Sequence, residues 1–176
     1  MKLKSLCNPR PSVFASDRRA TVLNLDTFLK GQVHGPEFFE ENYFTNGMMS
    51  LVDRAFRHLG GSGAGSSVFL LSQAMGGGKT HSMIGLGLLA RDPELRHRVL
   101  ADKDPAPRLG RCRVVGFNGR NSDAPGGIWG SIAEQLGKAD QFANFISPIL
   151  KAPGPEAWKQ LIGGDPLILF LDELPP

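Results

Sequence analysis

Thiols are scarce: Cys7 and Cys112 are the two cysteines among 176 residues. A pair so isolated builds neither a disulfide framework nor a cysteine zinc site. The four histidines, His34, His58, His81 and His97, lack the i, i+4 spacing of a metal-binding helix, so no His/Cys metal centre is expected. Long apolar runs are missing too. The longest, Leu167 to Leu171, has five residues, whereas a membrane-crossing helix needs about 20. Residues 1–10 carry Lys2 and Lys4 with no apolar segment behind them. No secretory leader is therefore expected, and the cytoplasm is the default compartment. Charge of one sign is also in short supply. A net +3 is too mild on its own to argue for nucleic acid. Internal repeats and heptads are lacking.

What the chain does have is an ordinary globular balance, 41% apolar and 21% charged, which excludes wholesale disorder. Residues 1–22 read as an irregular, basic, solvated arm, with a nucleic-acid contact as the other reading. Pro36 opens a short helix reaching to Phe44. Thr45 caps a longer one over 46–59, with Met48, Val52, Ala55, Phe56 and Leu59 at helical spacing. Gly60 to Gly65 is a linker. Ser67 to Ser72 is predicted as a strand covered on both faces, followed by a helix from Lys79 to Ala90. In that helix Gly85 and Gly87 would permit close packing. Mixed charges over 91–111 predict a solvated connection. Cys112 to Phe117 is a second strand; 128–135, 141–150 and 158–162 are helical; Leu167 to Leu171 is a third strand. Alternating strands and helices predict an α/β fold with a parallel sheet in three layers.

Two segments carry chemistry. Gln73-Ala74-Met75-Gly76-Gly77-Gly78-Lys79-Thr80 lies where the first strand meets its helix. Glycines let backbone N–H groups approach phosphate oxygens, and a helix N-terminus adds its own unsatisfied donors. Lys79 would reach the β- and γ-phosphates, and the Thr80 hydroxyl would ligate Mg²⁺. The phosphate-loop pattern asks for glycine at position 73, where Gln73 stands, while Gly76 and Gly77 supply flexibility. His81 adjoins the loop and is counted with Gly76 to Thr80 in the nucleotide-binding set, although a helix-surface role also suits it. The second segment is the apolar strand ending in Asp172-Glu173. Such a strand delivers carboxylates to the sheet edge where α/β proteins bind ligands. Asp172 would hold Mg²⁺, and Glu173 would act as base for an attacking water.

The chain resembles a family of large bacterial and archaeal AAA-type P-loop ATPases whose genes lie beside those for DNA methyltransferases, in clusters associated with phage defence. The likeness rests on four stretches: 38–48, 76–83, 127–136 and 167–174. It implies a P-loop sandwich from residue 61 to 176, preceded by an arm and helical segment over 1–60. It implies ATP and Mg²⁺ as ligands, with Lys79 and Glu173 serving hydrolysis and Thr80 and Asp172 serving the metal. By association it points to DNA or a DNA methyltransferase as partner, and self-association stays open. Family members run on for many hundreds of residues beyond the Asp-Glu strand. The expectation is therefore a truncated core with weak or no hydrolysis, and an empty slot beside that strand where a later strand would insert. A non-hydrolysing ATP-binding fragment and a DNA-interacting component are the rival readings.

Overall fold

The computed structural model describes residues 23–63, 66–72, 76–120, 124–146 and 151–174. The expected basic arm, Gln73 and the end of the helix expected over 141–150 lie outside them. Among the described residues the architecture is mixed α/β: eight α-helices and a parallel sheet of two strands.

Local chemistry sets where the first helices begin. Asn24 caps α1 (Leu25–Leu29), accepting from the Thr27 N–H at 2.8 Å while Thr27 Oγ1 reaches back to the Asn24 backbone. This reciprocal cap is a capping box with threonine in the acidic position. Five residues give helical periodicity no span to register, so α1 was not foreseen. α2 (Gly35–Glu41) has Pro36 in its first turn. α3 (Asn46–Leu59) starts where expected, at Thr45, whose hydroxyl accepts from the Met48 N–H at 3.2 Å. Met48, Val52, Ala55 and Phe56 are its buried stripe.

α4 (Lys79–Arg91) is buried continuously from Met83 to Ala90. A helix apolar all round belongs in a core. Its two glycines mark close approach, as the sequence predicted. A Cβ on Gly85 would overlap Met48 Cε, and one on Gly87 would overlap Phe28 and lie 3.0 Å from the Phe170 ring.

Residues 91–111 differ from expectation. They contain α5 (Pro93–Leu100), capped by Asp92, and a fully buried cation. Arg96 pairs with Asp104 at 3.1 Å, donates to the Leu109 carbonyl and lies over the Phe56 ring. Arg96 and Asp104 are paired inside the protein, while Asp92, Glu94, Arg98, Asp102, Lys103, Arg108 and Arg111 are exposed, as a solvated connection predicts.

β1 (Arg113–Asn118) and β2 (Leu167–Asp172) pair in parallel, from Arg113 opposite Leu167 to Asn118 opposite Asp172. Val114 and Phe170 face the larger core, shared with α1 to α5, while Val115 and Leu167 face a second core. That second core is built by α6 (Gly127–Gln135), α7 (Ala139–Ile146) and α8 (Pro155–Ile162), with Trp158 edge-on to both Trp129 and Phe142. Helices thus cover both faces. The outer edge of β1 is closed by Gln135, whose side-chain amide exchanges two hydrogen bonds with the Gly116 backbone at 3.0 and 2.8 Å. A side chain bonded into the edge in this way hinders pairing with another chain at Gly116.

The predicted strand over 67–72 does not form; these residues are non-regular, and Val68 and Leu70 stand 76% and 89% exposed. Phe69 and Leu71 pack against the core, so the alternation is real, but among the described residues no neighbouring strand supplies the ladder. A strand lacking a partner leaves its backbone to water. On β2, Leu169 and Leu171 are correspondingly exposed.

No helix among the described residues is long and apolar enough to cross a membrane.

Candidate functional site

Gly76–Thr80, the described part of the glycine segment, and Asp172-Glu173 come together at the C-terminal end of β2. The glycines before α4 are used for backbone shape: Gly76 and Gly78 have φ of +79° and +76°. A Cβ at either would meet nothing within 4 Å, so the left-handed conformation, not lack of room, calls for glycine. Gly78 is the N-cap of α4 and offers no side chain to its first N–H groups. Those donors point out of the helix end, next to partly buried Lys79 and Thr80, in an anion-attracting arrangement.

Thr80 Oγ1 donates to Asp172 Oδ2 at 2.9 Å, across 92 residues of sequence. This is the closure of the site. Asp172 is the last residue of β2, 8% exposed. Two hard oxygen donors side by side suit Mg²⁺. Among the described residues no group of three or more His, Cys, Asp or Glu could hold a metal ion. Mg²⁺ is commonly held by only one or two protein oxygens together with phosphates and water, so this sparse set fits it better than it fits zinc.

Glu173 sits one residue beyond, with φ of +50°. That left-handed turn costs a non-glycine residue roughly 1 kcal/mol. Its carboxylate is ion-paired with Arg120 in the turn after β1. No motif in the sequence marks that turn. The signal that could have found Arg120 is topological: parallel neighbouring strands end at the same edge, so the loop after one lies beside the residue after the other. His81 is exposed and stacks its ring 6.2 Å from that of Phe38 in α2.

Gly76, Gly78, Lys79, Thr80 and Asp172 therefore share one edge of the molecule, with Glu173 held to the neighbouring turn. A cavity lined by Arg91, Arg111, Arg113 and Asp165 opens at the opposite, N-terminal ends of the strands. Its Arg91 and Arg113 guanidiniums are already bonded to the carbonyls of Val114 and Ile162.

Residues 32–106 match the model of the DUF499 N-terminal domain. The matched stretch is less than half of the chain. It takes in α2 to α5 and the glycine loop, and ends before β1. No curated protein and no solved structure matches the chain.

Proposed function

We propose that this chain binds ATP with Mg²⁺ at the edge formed by Gly76–Thr80 and Asp172, within an AAA-type P-loop sandwich of which the two paired strands are a part. The observation that carries the reading is the Thr80–Asp172 hydrogen bond. It joins a glycine-rich helix start to a carboxylate-tipped strand, the two halves that a metal–triphosphate complex needs. The DUF499 match adds to it, since that family is associated with AAA-type ATPase proteins.

In this reading the N–H groups at the start of α4 and the Lys79 ammonium take the phosphate oxygens. Thr80 and Asp172 would hold Mg²⁺, which when bound supplies charge neutralisation between the phosphates. Glu173, one residue past Asp172, would take a proton from water. Lys79→Ala is expected to lower ATP affinity at least tenfold by calorimetry, whereas Glu173→Gln keeps binding and stops phosphate release. ATP affinity that survives Lys79→Ala would sink the assignment.

A second reading, ATP binding without turnover, is favoured by one contact: the Arg120 pairing occupies the Glu173 carboxylate. Phosphate release by the parent clearly above that of Glu173→Gln rejects it.

A further inference from the structure

Three guanidiniums crowd the cavity at the N-terminal ends of the strands, and a single carboxylate answers them. Arg91, Arg111 and Arg113 line it with Asp165, an excess of two positive charges. Arg91, the last residue of α4, is partly buried. It donates to the carbonyls of Phe28 and Val114, each at 3.0 Å, and its Cζ lies 4.2 Å from the centre of the Phe28 ring. Arg113 donates to the Ile162 carbonyl, while its buried Nε has no hydrogen-bond partner and stands 3.7 Å from Asp165 Oδ2. The Asp165 side chain is 77% exposed, a rim group rather than a buried counterion. Carbonyls fix where guanidiniums point, but they cancel no charge. Burial first, and next the charge of Arg111, push the Arg91 guanidinium below its usual range. By contrast, Arg57 and Arg96 each meet a carboxylate, at 2.9 and 3.1 Å. Arg91 and Arg111 have no carboxylate partner among the described residues.

We propose that this cavity is a second ligand site, for a small organic phosphate whose head sits among Arg91, Arg111 and Arg113 and whose apolar body lies against Leu29, Leu136 and Pro166. The volume, about 440 Å³, falls in the range of small-molecule sites. A phosphate monoester carries roughly 1.5 to 2 negative charges at neutral pH, which matches the excess. The planar fork of arginine suits phosphate oxygens, and the carbonyl contacts hold two of the three forks in place before the ligand arrives. Side chains already ordered lose little freedom on binding. Like charges held together in a partly buried site repel, and a bound dianion relieves that repulsion. The site lies at the opposite strand ends from the glycine loop, so it stands or falls apart from the nucleotide reading.

The test uses the full chain and phenyl phosphate at constant ionic strength, with inorganic phosphate and benzoate as comparison probes. In the parent, the Nε–H resonances of Arg91 and Arg113 in a nitrogen-correlated NMR spectrum are expected to shift as phenyl phosphate is added. By calorimetry, Lys79→Ala is expected to keep a phenyl phosphate binding event, since the glycine loop takes no part in it. In that background Arg111→Glu is expected to weaken binding at least tenfold, the equivalent of about 1.4 kcal/mol. Asp165→Asn is expected to tighten it several-fold, because the competing carboxylate is gone. Both residues are exposed, so the melting temperature should stay near that of Lys79→Ala. Arg91 and Arg113 resonances that stay still in the parent overturn the site, whatever the glycine loop binds. Binding lost in Lys79→Ala, or equal with and without Arg111→Glu, overturns it as well. Inorganic phosphate bound as tightly as phenyl phosphate overturns the apolar half of the ligand, and benzoate bound as tightly overturns the phosphate head.

Discussion

Single residues in this protein serve packing, chemistry or both. Cys112 belongs to packing: it is 1% exposed, and burial pushes its thiol above the ordinary 9.0, partly offset by the positive charge of Arg96. Since the fold favours the protonated form, the stability this provides is whole below pH 9 and is lost as pH rises further. In a Cys7→Ser background, Cys112 is expected to resist a disulfide reagent in the native state. The melting temperature should fall more steeply above pH 9 than in a Cys112→Ala variant. Gly119 belongs to both classes. Gly119→Ala must displace Glu173, because a Cβ there would overlap the Glu173 carbonyl oxygen, which is backbone and cannot rotate aside. It is expected to cost about 1–3 kcal/mol in denaturant unfolding, the usual range for overpacking. Phosphate release should change with it, because Glu173 moves.

At the scale of elements, the sequence was legible where a cap and a long stripe coincide. Thr45 and the Met48–Phe56 stripe define α3 at both ends, and the Gly-Lys-Thr start places α4 to within one residue. Legibility failed for three physical reasons. α1 is too short for periodicity, although its Asn24–Thr27 cap was in plain view. The charges of α5 gave no hint of burial because pairing of Arg96 with Asp104 is a tertiary event. The 67–72 segment has a strand's alternation, but strand formation needs a neighbour that alternation cannot report. Of the site, the motif residues were readable, whereas Arg120 follows only from the parallel order of β1 and β2. The Arg96–Asp104 pair gives a measurable element-level test. Both side chains are at most 2% exposed, and removing one partner of such a pair leaves a buried charge alone. Asp104→Ala is therefore expected to cost about 3–5 kcal/mol of stability in chemical denaturation. A loss under 1 kcal/mol would mean that water or Pro105–Leu109 rearranges to solvate Arg96.

At the scale of the whole molecule, the described residues leave one edge of the sheet bonded by a side chain and the other uncovered. Gln135 seals the outer edge of β1, while Leu169 and Leu171 of β2 and the nearby Leu174 are each between 37% and 43% exposed. Val68 and Leu70 add to the uncovered apolar surface. An open, apolar strand edge promotes association. Sedimentation velocity is expected to show concentration-dependent self-association that Leu169→Lys with Leu171→Lys reduces, since charge on an edge strand opposes pairing. The candidate site lies at the end of that same strand, and its central claim is that Thr80 and Asp172 act together on one metal–triphosphate complex. The most direct measurement is calorimetric titration with ATP, with and without Mg²⁺, on the parent and on Asp172→Asn. The account predicts that Mg²⁺ tightens ATP binding to the parent at least tenfold and that Asp172→Asn loses this gain. Equal Mg²⁺ dependence in the two proteins would contradict it.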